Sequence, residues 1–318
     1  MFQMTAQARS GFDWKSIAQQ YGLTISFIIL CFSLTLLSDR FLTVNNLTNI
    51  LRQSTINGII AVGMTLIILT RGIDLSVGSI LALSAVITAD VLQKSTPVYF
   101  ALPFGLLIGA GLGLISGWLV TKMRVPPFIA TLGVMTFGRG LALTYTQGKP
   151  ITGLPEAFRF VGVGYLWSIP MPVVIAIAVF AIGHIALRRM KFGEYIHAIG
   201  NNEIAARLSG IPVKKYVVST YVITGALSAL AGQILIARLN SAQPVTGIGF
   251  EFDAIAAVVV GGTSFEGGEG SILGTLLGVL IIAVINNGLN LLDVPSFYQS
   301  VVKGLVIASA LLIHKALK

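Results

Sequence analysis

The chain has 318 residues, of which 55% are hydrophobic and 10% charged, with a net charge of +9 and a mean hydropathy of +0.87. Soluble domains carry about 25% charged residues, so this chain has too few charges to cover a surface that faces water. Lipid must be its solvent. The positive charge does not indicate nucleic-acid binding, because basic residues are scattered between apolar runs rather than clustered on one face.

The apolar runs predict an all-α integral membrane protein with about ten transmembrane helices, most of them close to the length that a bilayer requires. The run at 252–265 is short for a full crossing, and we expect it to start earlier or to be a broken helix. No soluble domain is expected, so residues 1–318 are predicted to form a single membrane domain. The predicted spans are 23–38, 47–70, 73–92, 98–120, 127–146, 170–187, 215–236, 252–265, 270–290 and 298–314.

Basic residues divide unequally between the two sides of this topology. With the N-terminus inside, most Lys and Arg residues fall in cytoplasmic segments, as the positive-inside rule requires, and both termini are then cytoplasmic. Arg139 instead falls within a span, where it either lines a polar cavity or pairs with a backbone carbonyl. The outer loops keep Arg40, Lys94, Lys149, Arg159 and Arg238.

Glycines recur at helical spacing within two of the predicted spans. Each row lies on one helix face and lets the backbone of a neighbouring helix come close, so we expect both rows to be packing surfaces. The rows are Gly105, Gly109, Gly113 and Gly117, and Gly270, Gly274 and Gly278.

A weak internal similarity relates the segments 72–81 and 264–273. Both place an acidic residue before Gly-Ser-Ile-Leu at the start of a span. Each segment is interpreted as a helix N-terminus with a stabilising carboxylate. Interrupted segments at matching places also mark the moving parts of transporters, and chance similarity is the alternative.

The most basic loop, 188–210, contains signals for a short helix. Asn202 is a predicted N-cap and Gly210 a predicted C′ residue, with Glu203 in the first turn and Arg207 further along. This describes about two turns, far short of a bilayer span. Such a helix is interpreted as a binding site for a soluble partner. The alternative is an interfacial helix that lies on membrane lipid.

Several features that support catalysis or self-powered transport are missing from the sequence. No phosphate-binding loop, nucleophile elbow or metal-like spacing of His residues occurs, so we expect no enzymatic activity, no metal and no cofactor in this chain. No carboxylate occupies the middle of a span, which argues against an ion-coupled carrier.

The chain resembles the sugar ABC-importer permeases of the ribose/xylose/arabinose group from about residue 41 to its C-terminus. Part of the resemblance is Gly72-Ile73-Asp74-Leu75-Ser76-Val77-Gly78-Ser79. Arg71 and Asn201 depart from the family pattern, where a small or polar residue and a glycine are expected. The other similar segments are 61–70, 202–211, 241–244, 253–264 and 286–292.

The resemblance implies the pore subunit of an ATP-driven importer of ribose or a similar monosaccharide in the bacterial inner membrane. Its implied partners are a second copy of itself, a cytoplasmic ATP-binding subunit and a periplasmic sugar-binding protein. The short helix then resembles the coupling helix of the family, which docks into a groove on the ATPase. The residues expected in that contact are Asn202, Glu203, Ile204, Arg207, Leu208 and Gly210.

Two further sets of residues are predicted to act on this transport. Arg40, Lys149 and Arg159 are expected to be exposed cations that dock an acidic surface of the binding protein. Polar or aromatic groups at membrane depth are expected either to touch the sugar weakly or to join helices. This path set is Asn57, Phe128, Asn286, Asn287 and Asn290. The alternative function is a self-sufficient ion-coupled sugar carrier or channel.

Overall fold

The structure is a computed structural model that describes residues 14–295, 297–299, 301, 302, 304, 305 and 308, with residues 14–21 described by their backbone alone. Helices account for most of the described chain. They are α1 Trp14–Leu37, α2 Val44–Leu69, α3 Val77–Gln93, α4 Val98–Thr121, α5 Pro127–Thr146, α6 Glu156–Val163, α7 Met171–Arg189, α8 Lys191–Asn201, α9 Glu203–Leu208, α10 Val213–Leu239, α11 Phe250–Val260 and α12 Ile272–Leu291.

Every predicted span up to residue 290 overlaps one of these helices. Within the described chain, α2, α4, α5, α7, α10 and α12 are long and apolar enough to cross a membrane. The short run at 252–265 is α11, which begins earlier, at Phe250, and has 11 residues, too few to cross alone. The span predicted at 298–314 and both termini fall largely outside the described residues, so the tenth helix and the cytoplasmic termini stay predictions.

Helix α10 lies at the centre of the molecule, packed against α2, α3 and α4. A Cβ atom added to Gly109 would lie 2.3 Å from the carbonyl oxygen of Gly225, and one added to Gly113 would lie 2.2 Å from that of Tyr221. The backbones of α4 and α10 are therefore in direct contact, which only glycine permits at this distance. The packing role predicted for the first glycine row is confirmed.

The second glycine row packs α12 against the end of α11. Added Cβ atoms on Gly274 and Gly278 would lie 2.1 Å and 1.9 Å from the carbonyl oxygens of Gly261 and Ala257. Gly270 differs from the prediction, because it precedes the first residue of α12 and meets the side chain of Thr263 instead.

Two non-helical segments meet inside the helical body, one before α3 and one before α11. A Cβ on Gly78 would lie 2.1 Å from the carbonyl oxygen of Gly247, so the beginnings of these two short helices touch. Gly232 on α10 abuts the carbonyl of Leu81 on α3. At a rise of about 1.5 Å per residue, Gly232 lies roughly 28 Å along the axis of α10 from its first residue, Val213. Helix α3 thus begins well inside the bundle rather than at its end.

The internal similarity between 72–81 and 264–273 corresponds to two helix starts. Ser271 caps α12 by accepting a hydrogen bond from the backbone N–H of Gly274 at 3.0 Å, whereas Ser76 makes no such bond at the start of α3. Asp74 is buried and accepts a bond from the backbone N–H of Ser76 at 2.7 Å, while Glu269 is exposed. The two acids therefore lie in different surroundings, although both precede a helix as predicted.

The segment 147–170, between α5 and α7, is ordered. It contains α6 and the strands β1 Ile151–Thr152, β2 Tyr165–Leu166 and β3 Ile169–Pro170. β2 pairs antiparallel with β3, and β1 pairs antiparallel with β4 Ser241–Ala242. The β1–β4 pair ties the segment to the C-terminal end of α10.

Candidate functional site

Helix α9 has the two caps that the sequence predicts. The Asn202 side chain accepts a hydrogen bond from the backbone N–H of Ala205 at 3.0 Å, which satisfies one of the free donors of the first turn. Gly210 has a φ of +83°, and the N–H of Ile211 reaches back to the carbonyl of Ala206 at 3.1 Å. This left-handed closure is the usual role of glycine at a helix end, so both terminal assignments are confirmed.

The outer face of α9 is apolar and unusually exposed. Ile204 is 72% exposed and Leu208 84% exposed, and they lie four residues apart on one side of the helix. Glu203 and Arg207 form an exposed ion pair beside them, which contributes little stability by itself. Ala206 on the opposite face is buried against Ile199 and Val213. The helix is therefore fixed by one face and presents two large aliphatic side chains on the other.

Helix α8 precedes α9 where the sequence analysis expected only loop. It has 11 residues, and its buried side includes Ile196 and Ile199. Phe192 packs partly against the same core. Apolar residues at these helical spacings are the signal that predicts such a helix, and the neighbouring charges of the basic loop obscured it.

The end of α8 is held by two other segments of the chain. Arg71, directly after α2, donates from Nε to the carbonyl of Gly200 at 2.6 Å and from Nη2 to that of Asn201 at 2.9 Å. The N–H of Gly268 donates to the carbonyl of Leu69 at 3.0 Å. We call this meeting of residues 69–71, 197–201 and 267–268 the α8 junction.

Two of the predicted path residues, Asn57 and Asn286, line one cavity of about 210 Å³ between α2, α10, α11 and α12. Asn57 donates from Nδ2 to Asp253 Oδ2 at 3.3 Å. The amide oxygens of Asn57 and Asn286 are buried without a hydrogen-bond partner in the described chain. Such atoms are expensive to leave unsatisfied, and water or a hydroxylated solute would satisfy them. The other polar lining residues are Gln53, Ser54, Arg238 and Asp253 itself.

The remaining predicted path residues lie away from this cavity. Asn287 exchanges two side-chain hydrogen bonds with Asn46, of 3.0 Å and 2.8 Å. Asn290 Oδ1 accepts a bond from Gln299 at 2.8 Å. Phe128 is 53% exposed on the outside of α5. The structure therefore does not bring the five residues together within one chain.

Arg139 pairs with backbone carbonyls, which decides between the two alternatives left open by the sequence. Its Nη1 donates to the carbonyls of Pro244 and Thr246 at 2.6 Å and 2.8 Å. These carbonyls belong to the non-helical segment that precedes α11, and they have no helical partners there. Arg139 thus fixes that segment against α5.

The outer basic residues are only partly as predicted. Arg40 and Lys149 are exposed, but Arg159 is half-buried, with its Nε enclosed and without a hydrogen-bond partner in the described chain. Arg159 is therefore less exposed than predicted, and the docking role of the three cations stays a prediction. Within the described residues, no three His, Cys, Asp or Glu side chains form a metal-like cluster.

The segments α6 and α9 lie at opposite ends of α10. A Cβ on Gly162 of α6 would lie 2.3 Å from the backbone nitrogen of Arg238, near the last residue of α10. Ala206 of α9 packs against Val213, the first residue of α10. The two surfaces predicted to meet different partners are thus separated by the length of the longest described helix.

Comparison with known proteins places this architecture among transport components. A family model described as "branched-chain amino acid transport system / permease component" matches residues 46–311. The ribose import permease protein RbsC of Haemophilus influenzae is 50% identical over 292 residues, which covers 91% of this chain and 90% of that protein. RbsC of Bacillus subtilis is 50% identical over 313 residues, covering 98% and 97% of the two chains.

A more distant relative has a different sugar in its name. The D-allose transport system permease protein AlsC of Escherichia coli is 38% identical over 313 residues, covering 98% of this chain and 96% of that protein. No solved structure matches the chain.

Proposed function

This chain belongs to the branched-chain amino acid transport system / permease component family and, within it, to the sugar ABC-importer permeases, and we propose from that premise that it is the pore subunit of a ribose importer. It is a multi-pass protein of the bacterial inner membrane. In the proposed complex, two copies of the chain bind a cytoplasmic ATPase and receive ribose, or a similar monosaccharide, from a periplasmic binding protein.

The observation that carries this proposal is the exposed apolar face of α9. Leu208 has 84% of its surface exposed. Removing this apolar surface from water by covering it with a partner lowers the free energy. A capped helix with aliphatic residues at i and i+4 fits a hydrophobic groove on another protein. The proposal assigns this face to the ATPase. Because α9 is followed closely by α10, a movement of the ATPase that reaches α9 would pass to the membrane helices.

In the proposed mechanism, movement of the ATPase passes through α9 to the membrane helices. The chain makes and breaks no bonds itself; the partner ATPase hydrolyses ATP, and α9 receives the resulting movement. The non-helical starts of α3 and α11 meet inside the bundle, and interrupted helices of this kind can tilt as units. Movement of these helices would expose the path alternately to the two sides of the membrane.

The cavity that contains Asn57 and Asn286 is the proposed polar stretch of that path within each protomer. Amide groups offer both a donor and an acceptor, which suits the hydroxyl groups of a sugar. Contacts of this kind should be weak, because a tightly held sugar would be released slowly. We therefore expect no stoichiometric binding of ribose to the isolated chain.

Reconstitution into proteoliposomes tests the proposal. The chain is inserted alone, with the ATPase, and with both the ATPase and the sugar-loaded binding protein, and uptake of labelled ribose is measured with ATP. Uptake is expected only with all components and should not respond to a proton or sodium gradient. Gradient-driven uptake by the chain alone would instead support the self-sufficient carrier.

A further inference from the structure

We propose that Arg71 is a positioning residue that transmits movement of α9 to α2, α3 and α12. This proposal rests on the function proposed above, because it concerns how ATPase movement enters the membrane helices. Arg71 lies in the α8 junction, where the end of α2, the end of α8 and the loop before α12 meet.

The first part of the proposed connection is the pair of hydrogen bonds between Arg71 and the end of α8. Its guanidinium donates to the carbonyls of Gly200 and Asn201, at the last two residues of that helix. Terminal carbonyls lack helical partners and carry the negative end of the helix dipole. Two donors fixed in one plane set both the position and the direction of the helix end, which a flexible ammonium group cannot do.

The second step is the attachment of Arg71 to the membrane helices. Its backbone has a φ of +62°, and its N–H donates to the carbonyl of Ile68 at 2.9 Å. The N–H of Gly72 donates to the carbonyl of Ile67, also at 2.9 Å. These bonds lock Arg71 to the last turn of α2, and the extended segment that leads into α3 begins one residue later.

The third step is the loop between α11 and α12. His197 of α8 makes a hydrogen bond from Nδ1 to the carbonyl oxygen of Gly268 at 2.8 Å. A Cβ on Gly200 would lie 2.0 Å from the carbonyl oxygen of Leu69 and 2.3 Å from the nitrogen of Gly268. With no free space at this point, the end of α8 cannot shift unless the end of α2 and this loop shift with it.

The last link runs from α8 to α9 through a single residue. Asn202 follows the last residue of α8 and is the N-cap of α9. Its N–H donates to the carbonyl of Ala198 at 3.0 Å, while its side chain caps α9. A force applied to Leu208 therefore reaches Arg71 through hydrogen-bonded backbone. The side-chain contacts of the junction come from Arg71 and His197, and the two from Arg71 join the end of α2 to the end of α8 and can be removed by substitution.

The test compares R71A and R71K with R124A in the complete complex. Arg124 is a matched control, since it is also an exposed arginine with a left-handed backbone, φ +57°, but no hydrogen bond or ion pair from its side chain is found in the described chain. The measured quantities are ATPase binding, ATP hydrolysis and the number of sugars transported per ATP.

We expect R71A to bind the ATPase and hydrolyse ATP but to transport about tenfold fewer sugars per ATP, within the range of typical coupling between sites. R71K should be intermediate, because it restores charge and one donor, and R124A should behave as wild type. If R71A does not fold, R71K alone tests the proposal. A wild-type number of sugars transported per ATP in R71K would overturn it.

Two other outcomes overturn it while leaving the proposed function intact. The first is a wild-type number of sugars per ATP in R71A, measured under conditions in which L208D is uncoupled. This result would show that the movement does not pass through Arg71. Loss of ATPase binding in R71A shows that Arg71 contacts the partner directly. If the wild-type complex shows no ATP-driven uptake, the proposed function itself fails.

Discussion

Asn46 and Asn287 exchange two side-chain hydrogen bonds across 241 positions of the chain, joining the first turn of α2 to α12. Asn287 is buried, with 7% of its surface exposed. A reciprocal amide pair satisfies a donor and an acceptor on each side chain, so this contact joins two helices in surroundings where water is scarce.

The N287A variant should therefore lose stability. Removing Asn287 leaves the Asn46 amide oxygen without its donor, while Asn46 Nδ2 keeps only its bond to the Phe41 carbonyl. We expect a cost of about 1–2 kcal/mol, which thermal unfolding in detergent would measure. N290A is the control, because Asn290 is exposed and, among the described residues, its side chain is bonded to Gln299 alone. Equal unfolding temperatures for the two variants would contradict the joining role of Asn287.

Leu208 is the residue whose substitution should uncouple ATP hydrolysis from transport. A charge at the centre of an apolar contact opposes docking into a groove, so L208D should insert into the membrane normally but lose most ATP-driven uptake. Leu166, which is 50% exposed in β2 near the other end of α10, supplies the control L166D. Normal uptake by L208D in proteoliposomes would remove the assignment of α9 to the ATPase.

The outer cations should govern the requirement for binding protein. We expect R40Q/K149Q to need more binding protein for half-maximal uptake, most clearly at low salt, where charge steering acts over the longest distance. R159Q is measured separately, because Arg159 is half-buried and its substitution also disturbs packing. A requirement that is unchanged at every salt concentration would exclude docking through these cations.

Cysteine probes should distinguish the cavity from the helix contacts. After the native Cys31 is replaced by Ser, N57C and N286C should react with a water-soluble thiol reagent in at least one nucleotide state. N287C, one residue further along α12, should stay unreactive because Asn287 faces Asn46. Protection of N57C and N286C in every state would assign these side chains to packing and place the path on other helices.

Helix α4 contains a control for its glycine row, since Gly111 lies outside the row. An added Cβ on Gly113 would lie 2.2 Å from the carbonyl oxygen of Tyr221, whereas one on Gly111 meets nothing within 4 Å. G113A should therefore force α4 and α10 apart and lower the unfolding temperature. G111A should leave it unchanged or raise it, since Ala favours a helix by about 1 kcal/mol over Gly. Equal loss in both variants would contradict the close contact.

The sequence alone determined the features that depend on neighbouring residues. Apolar runs located α1 to α5, α7 and α10 to α12, because a helix that lies in lipid must be apolar over its own length. Asn202 and Gly210 marked the ends of α9 because capping acts within a few residues. The glycine spacing of α4 revealed a packing face, although not which helix it contacts.

Tertiary structure decided how distant polar groups are paired. Arg71 meets Gly200, and Arg139 meets Pro244, and local patterns contain no information about partners more than a hundred residues away. The same holds for the predicted path. Asn57 and Asn286 line one cavity while Asn287 joins two helices, because adjacent residues of a helix point in directions about 100° apart. Which direction faces a cavity depends on how α2, α11 and α12 pack.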